Sequence, residues 1–217
     1  MKKIRHLLGC ALIATASALP SISSATLLNV DFGLTGQQIQ SGFSGLAGTS
    51  TAASASQSFS GIGVSIQGTG NAFGFRDRGD VTGALGDLVE DFYFANSQIK
   101  LTFSGLAAGN YSFTSWFHDS SYVQSVLKIN VNSVDLLTDL SATNGYSPAS
   151  IGTGTVNFHS DGLGNDVVSF IETSEIRSGS AVILNGFSLK SVPEPASIAL
   201  LGLGLIGIAV SRKRKQS

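Results

Sequence analysis

Cysteine is almost missing from this chain: its single thiol, Cys10, lies in an apolar stretch near the N-terminus. With that stretch removed no disulfide can form, and His118 and His159 alone cannot build a structural zinc site of Cys and His ligands. Charge is scarce too. Charged residues make up 12% of the chain, about half of the roughly 25% usual in soluble domains, and the formal net charge is -1. That balance excludes the basic face by which a protein holds nucleic acid. There is no Gly-x-Ser-x-Gly elbow, no His-Glu-x-x-His pair and no phosphate loop. A glycosidase needs two carboxylates facing each other across a cleft, and nothing in the acid pattern singles out a pair.

What is present at the two ends reads as sorting information rather than fold. Lys2, Lys3 and Arg5 form a basic start, Leu7 to Leu19 an apolar core, and Ser23 and Ala25 stand where a signal peptidase expects small residues. Residues 1–25 are therefore expected to be a signal-peptide helix, delivered to the Sec translocon and cut before Thr26. A lipid-modified Cys10 is the weaker alternative, because almost no apolar stretch precedes it. At the other end an apolar run, Ala196 to Val210, leads into Arg212, Lys213, Arg214 and Lys215. As a helix that run is about 22 Å long against a hydrocarbon core of about 30 Å, so it spans only marginally. The four cations should stay cytoplasmic and leave everything before Pro193 on the export side. Gly202 to Gly207 fits a GxGxxG pattern, but no strand precedes it and no acid follows, so it is no nucleotide site.

Pro193-Glu194-Pro195, a short glycine-containing apolar segment and a closing basic cluster together resemble the PEP-CTERM sorting signal of Gram-negative bacteria. The resemblance covers residues 193–217. It implies a transmembrane sorting helix held transiently in the inner membrane, recognition by an exosortase, cleavage near the motif, and release to the cell surface or an extracellular polysaccharide matrix.

Between the signals lie residues 26–192, expected to form one domain. Their cations are Arg76, Arg78, Lys100, Lys128, Arg177 and Lys190, against every acidic residue of the chain except Glu194. Such an acidic surface repels DNA and anionic headgroups and suits neutral glycans or divalent cations. Ile99, Leu101 and Phe103 alternate with polar residues, and after a glycine turn Tyr111, Phe113 and Phe117 do the same, which predicts an antiparallel hairpin. Leu127, Ile129 and Val131 continue the pattern. Further strands are expected at 27–32, 63–67, 91–94, 155–158, 167–171 and 181–189, whereas the Ser- and Gly-rich stretch 40–60 reads as loop or weakly packed edge rather than a linker. Nine or ten strands without an interior helix predict an all-β fold, an antiparallel β-sandwich of jelly-roll type.

Asn29-Val30-Asp31-Phe32-Gly33, Phe73 to Asp80, Leu88 to Phe94, Trp116 to Ser120 and Leu184 to Phe187 are similar to segments of exported bacterial jelly-roll modules with a galactose-binding-like fold. A candidate glycan site follows from the residue chemistry. Arg76 offers forked donors, Asp77 and Asp119 accept from sugar hydroxyls, and Trp116 and His118 share strand parity opposite Tyr111 and Phe113, where an indole can stack on a pyranose. The competing reading makes Arg76 with Asp91, or Arg78 with Asp119, structural pairs that fix loops. Asp77, Asp80, Asp87, Glu90 and Asp91 supply hard oxygens for a calcium ion without matching an EF-hand. Arg78-Gly79-Asp80 spells an adhesion tripeptide, too short to carry weight. The expected function is non-enzymatic association with exopolysaccharide in a biofilm or floc, with a purely structural matrix protein or a glycoside-acting enzyme as alternatives.

Overall fold

The computed structural model describes residues 25–174 and 179–193. All of the signal peptide but Ala25, most of the sorting motif with Glu194 and Pro195, and the tail with Arg212, Lys213, Arg214 and Lys215 lie outside those residues. Among the described residues no helix is long and apolar enough to cross a membrane.

Two six-stranded sheets pack face to face. The first contains β1 (Ala25–Leu34), β2 (Ser44–Gly48), β8 (Gly109–Asp119), β11 (Thr143–Asn144), β12 (Gly152–Ser160) and β15 (Gly186–Val192). Its order is β8-β15-β1-β2, with β11 and β12 sharing the outer edge of β8. The second sheet runs β10 (Val134–Ser141), β9 (Val126–Val131), β13 (Asn165–Ser174), β7 (Gln98–Ser104), β4 (Ile62–Thr69) and β3 (Ser54–Phe59). A third sheet of β14 (Val182–Leu184), β6 (Asp91–Ala95) and β5 (Phe73–Asp77) leans against them. The one described helix, α1 (Gly86–Val89), is a single turn. The all-β sandwich expected from the sequence is the observed fold.

Period-two alternation builds the core, because successive side chains of a strand point to opposite faces. Ile99, Leu101 and Phe103 of β7 and Leu127, Ile129 and Val131 of β9 are all buried. Aromatic rings knit the sheets: Phe113 of β8 stacks on Phe187 of β15 at 5.3 Å and meets Phe103 of β7 at 6.0 Å and Phe170 of β13 at 6.1 Å. Edge-to-face and offset contacts of this kind add to area burial.

Two expectations need correction. β7 and β8 form no hairpin: β7 pairs with β4 and β13, β8 with β12 and β15. Their apolar faces look at each other across the sandwich, an arch, which has the same alternation as a hairpin. The stretch 40–60, read as loop or weakly packed edge, contains β2 and β3, short strands at the sheet edges. The run 181–189 is split at Asn185, where the chain leaves the third sheet as β14 and enters the first as β15. Pairing is mostly antiparallel, but β1 with β2 and β8 with β11 are parallel.

Candidate functional site

Ala25 of β1 pairs with Ser191 of β15, while Asp31 pairs with Gly186 and Gly186 with Trp116. The domain's first and last strands therefore start and finish at one pole, and the C-terminal end of β8 lies at the other, about 20 Å away along the strands. At this far pole three loops meet. His118 donates from Nε2 to the Gly145 carbonyl at 2.9 Å, and its Nδ1 lies 2.9 Å from the Thr143 hydroxyl. A carbonyl can only accept, which fixes the neutral Nε2–H tautomer. Burial pushes the imidazole below its ordinary pKa against the opposing pull of the Gly145 carbonyl and Asp119.

Asp119 has no exposed surface. Its carboxylate accepts from the Ser121 and Tyr122 amides and from the Gln124 side chain, at 2.9, 3.3 and 2.5 Å. Arg78 Nε approaches it at 3.3 Å, and the guanidinium lies 4.8 Å from the Tyr122 ring centroid and 5.6 Å from that of Phe92. Thr82 donates its amide to the Tyr146 carbonyl, and the Ser121 hydroxyl lies 3.0 Å from the Tyr146 hydroxyl. The loops around Arg78, Ser121 and Tyr146 are thus laced into one surface. On it Tyr122 and Tyr146 are 45% and 51% exposed.

These contacts redistribute the sequence-derived site. His118 and Asp119 are fully buried and position loops, so neither faces a ligand directly. Trp116 is half-buried, edge-on to Phe43 at 5.7 Å and packed with Val81, Leu88 and Val89, so its indole is a packing group rather than an open platform. Arg76 sits 4.8 Å above the Phe94 ring. Asp77 is exposed and accepts the Gly79 amide at 2.6 Å. Of the two structural pairings considered, Arg78 with Asp119 forms. The two tyrosines were missed because they stand in loops, outside any alternation.

A second feature was also missed. Asp31 and Asp91, 2% and 1% exposed, line one cavity of about 300 Å³ with Thr35, Gln37, Gln38 and Gln57. Gly33, two residues beyond Asp31 on the same face of β1, makes room: a Cβ there would overlap the Asp91 carboxylate. Asp31 Oδ2 accepts the Gln40 amide at 2.7 Å, whereas Oδ1 of each aspartate has no hydrogen-bond partner. Burial, and then the neighbouring acids, push Asp31 up to about 7 and Asp91 to about 9. The five acids proposed from sequence for calcium do not converge: Asp87 is held by Gln38, and among the described residues no three His, Cys, Asp or Glu side chains gather as a metal cluster. Only Asp91 of that set enters this cavity.

The last described strand delivers the chain into the Pro193 motif. Residues 191–215 match the PEP-CTERM protein-sorting motif. A PEP-CTERM motif implies export, processing by an exosortase and C-terminal membrane anchoring before cleavage. No curated protein matches the chain. Solved structures similar to it include the ectodomain of ANX2 from Arabidopsis thaliana, 13% identical, covering 78% of this chain and 50% of that one with a TM-score of 0.49. A Bacteroides uniformis beta-glucuronidase is 16% identical over 59% of this chain with a TM-score of 0.44, and the match spans 14% of the glucuronidase. A family 35 carbohydrate-binding module from Clostridium thermocellum is 8% identical, covering 55% of this chain and 87% of the module with a TM-score of 0.36.

Proposed function

We propose that the PEP-CTERM-sorted domain is a non-enzymatic module that reaches the cell surface or extracellular matrix and associates there with polysaccharide through its far pole. The observation that carries the binding half is the pair of exposed tyrosines, Tyr122 and Tyr146, with Arg78 against Tyr122, on loops that His118 and Asp119 tie together. Aromatic faces pack against the C–H side of a sugar ring while flanking polar groups pair with its hydroxyls, and pre-ordered loops lower the entropic cost of binding. The pole lies opposite the end that leads into the sorting motif, so a tethered chain would present it outward. Asp119, the acid at the centre of the pole, is fully buried and held by three donors, which favours binding over turnover there.

Pull-down of the mature chain on extracellular polysaccharide tests the proposal. Wild type should be retained, Tyr122→Ala with Tyr146→Ala should lose at least tenfold in affinity, and Leu163→Ser on a distant turn should bind like wild type. A folded wild-type protein that no matrix glycan retains would overturn it in favour of a purely structural matrix role.

A further inference from the structure

We infer that Asp31 and Asp91 bind one divalent cation of the calcium type in the cavity between β1 and the 35–40 loop. Two carboxylates are brought together in a buried place where no base answers them. The charged neighbours acting on the pair, Asp77, Asp87 and Glu90, are themselves acidic, and no Lys or Arg lines the cavity. Each aspartate keeps one buried oxygen without a donor, and a buried polar atom left unpaired costs free energy that a ligand can recover. The geometry is built rather than incidental: Gly33 lacks a side chain where the Asp91 carboxylate sits, and the Gln40 amide orients Asp31 through its other oxygen. The remaining polar lining, Thr35, Gln37, Gln38 and Gln57, offers neutral oxygens. A hard cation that accepts six to eight oxygens in irregular arrangement fits two carboxylates supplemented by amide, hydroxyl and water oxygens. Magnesium, which demands near-octahedral order at shorter distances, fits less well. The cation would tie β1 to the start of β6, next to where Asn185 holds the Asp91 carbonyl. The inference is independent of polysaccharide binding.

The test uses the purified mature chain, stripped with EDTA and titrated with calcium chloride. Its melting temperature should rise by several degrees and saturate, with magnesium giving a smaller shift. Terbium luminescence should report one site per chain that calcium displaces. Asp91→Asn and Asp31→Asn should each weaken terbium binding at least tenfold. Asp80→Asn with Asp161→Asn, on exposed loops, should leave it unchanged. Should either buried variant fail to fold, the wild-type stoichiometry and the loop double variant still decide. Absence of any calcium shift at millimolar concentration would overturn the inference and leave the pair as protonated acids. So would binding that survives in Asp91→Asn and disappears in the loop variant.

Discussion

Replacing Asn185 by alanine should cost about 3–6 kcal/mol of folding free energy. The side chain fills the break between β14 and β15, donating from Nδ2 to the Asp91 carbonyl at 2.7 Å and the His118 carbonyl at 3.0 Å. Its Oδ1 accepts the His118 amide at 2.6 Å. Alanine leaves two carbonyls and one amide buried without a partner, at about 1–3 kcal/mol each, with part of that loss recovered if a water enters the space. For a domain of this size the loss corresponds to a fall in melting temperature of roughly 6–20 °C. Urea unfolding of the mature chain, followed by tryptophan fluorescence, gives the free energy directly. Asn185→Asp is the informative companion: it keeps an acceptor for the His118 amide but turns a carboxylate toward two carbonyl oxygens. It should be at least as destabilising at neutral pH and partly relieved in acid, where the carboxyl can donate once. A loss below about 1 kcal/mol in the alanine variant would refute the view that this residue staples the first and third sheets together.

Other outcomes follow from the same contacts. Phe113→Ala, which removes the ring stacked on Phe187 and touching Phe103 and Phe170, should destabilise by about 3–5 kcal/mol in urea. Burial holds His118 below its ordinary pKa, so the folded state binds the proton less well than the unfolded state. The His118 contribution to stability should therefore be full above about pH 6.5 and be lost as the pH drops below it, opposing the buried acids Asp31 and Asp91, whose contribution is lost as the pH rises toward about 7 and about 9. His118→Gln should flatten that slope between pH 5 and 7, and an unchanged slope would show that other groups set it. Leu163→Ser, at a turn residue 89% exposed, should change stability by less than about 0.5 kcal/mol. Pro193→Ala with Glu194→Ala should leave uncut precursor in the inner-membrane fraction, detected by immunoblot, whereas normal release would argue against processing at the motif.

The strands of the core were legible because burial on one face forces alternation, as in Ile99, Leu101 and Phe103. Partnership was not: β7 and β8 have the pattern of a hairpin but lie in facing sheets, and alternation reports only which face is apolar. β3 reads as no more than loop or weakly packed edge because its sequence, SASQSF, is nearly all small and polar, as an edge strand tolerates. The Arg78 to Asp119 pair could be named from loop chemistry, but the depth of Asp119 could not, since its hydrogen-bond partners are supplied by the turn that follows it. The acid pair was half visible: Asp31 interrupts the buried run Leu28 to Phe32, an expensive place for a charge, yet nothing local links it to Asp91.

β15 has β8 on one side and β1 on the other. The strand that runs into the PEP-CTERM motif is thus an inner one, hydrogen-bonded along both flanks. Any pull transmitted through the C-terminal segment would load both ladders lengthwise, so their bonds would have to slide together rather than peel one at a time. The domain hangs from an inner thread, an arrangement suited to a chain anchored in a membrane through its C-terminal motif before cleavage.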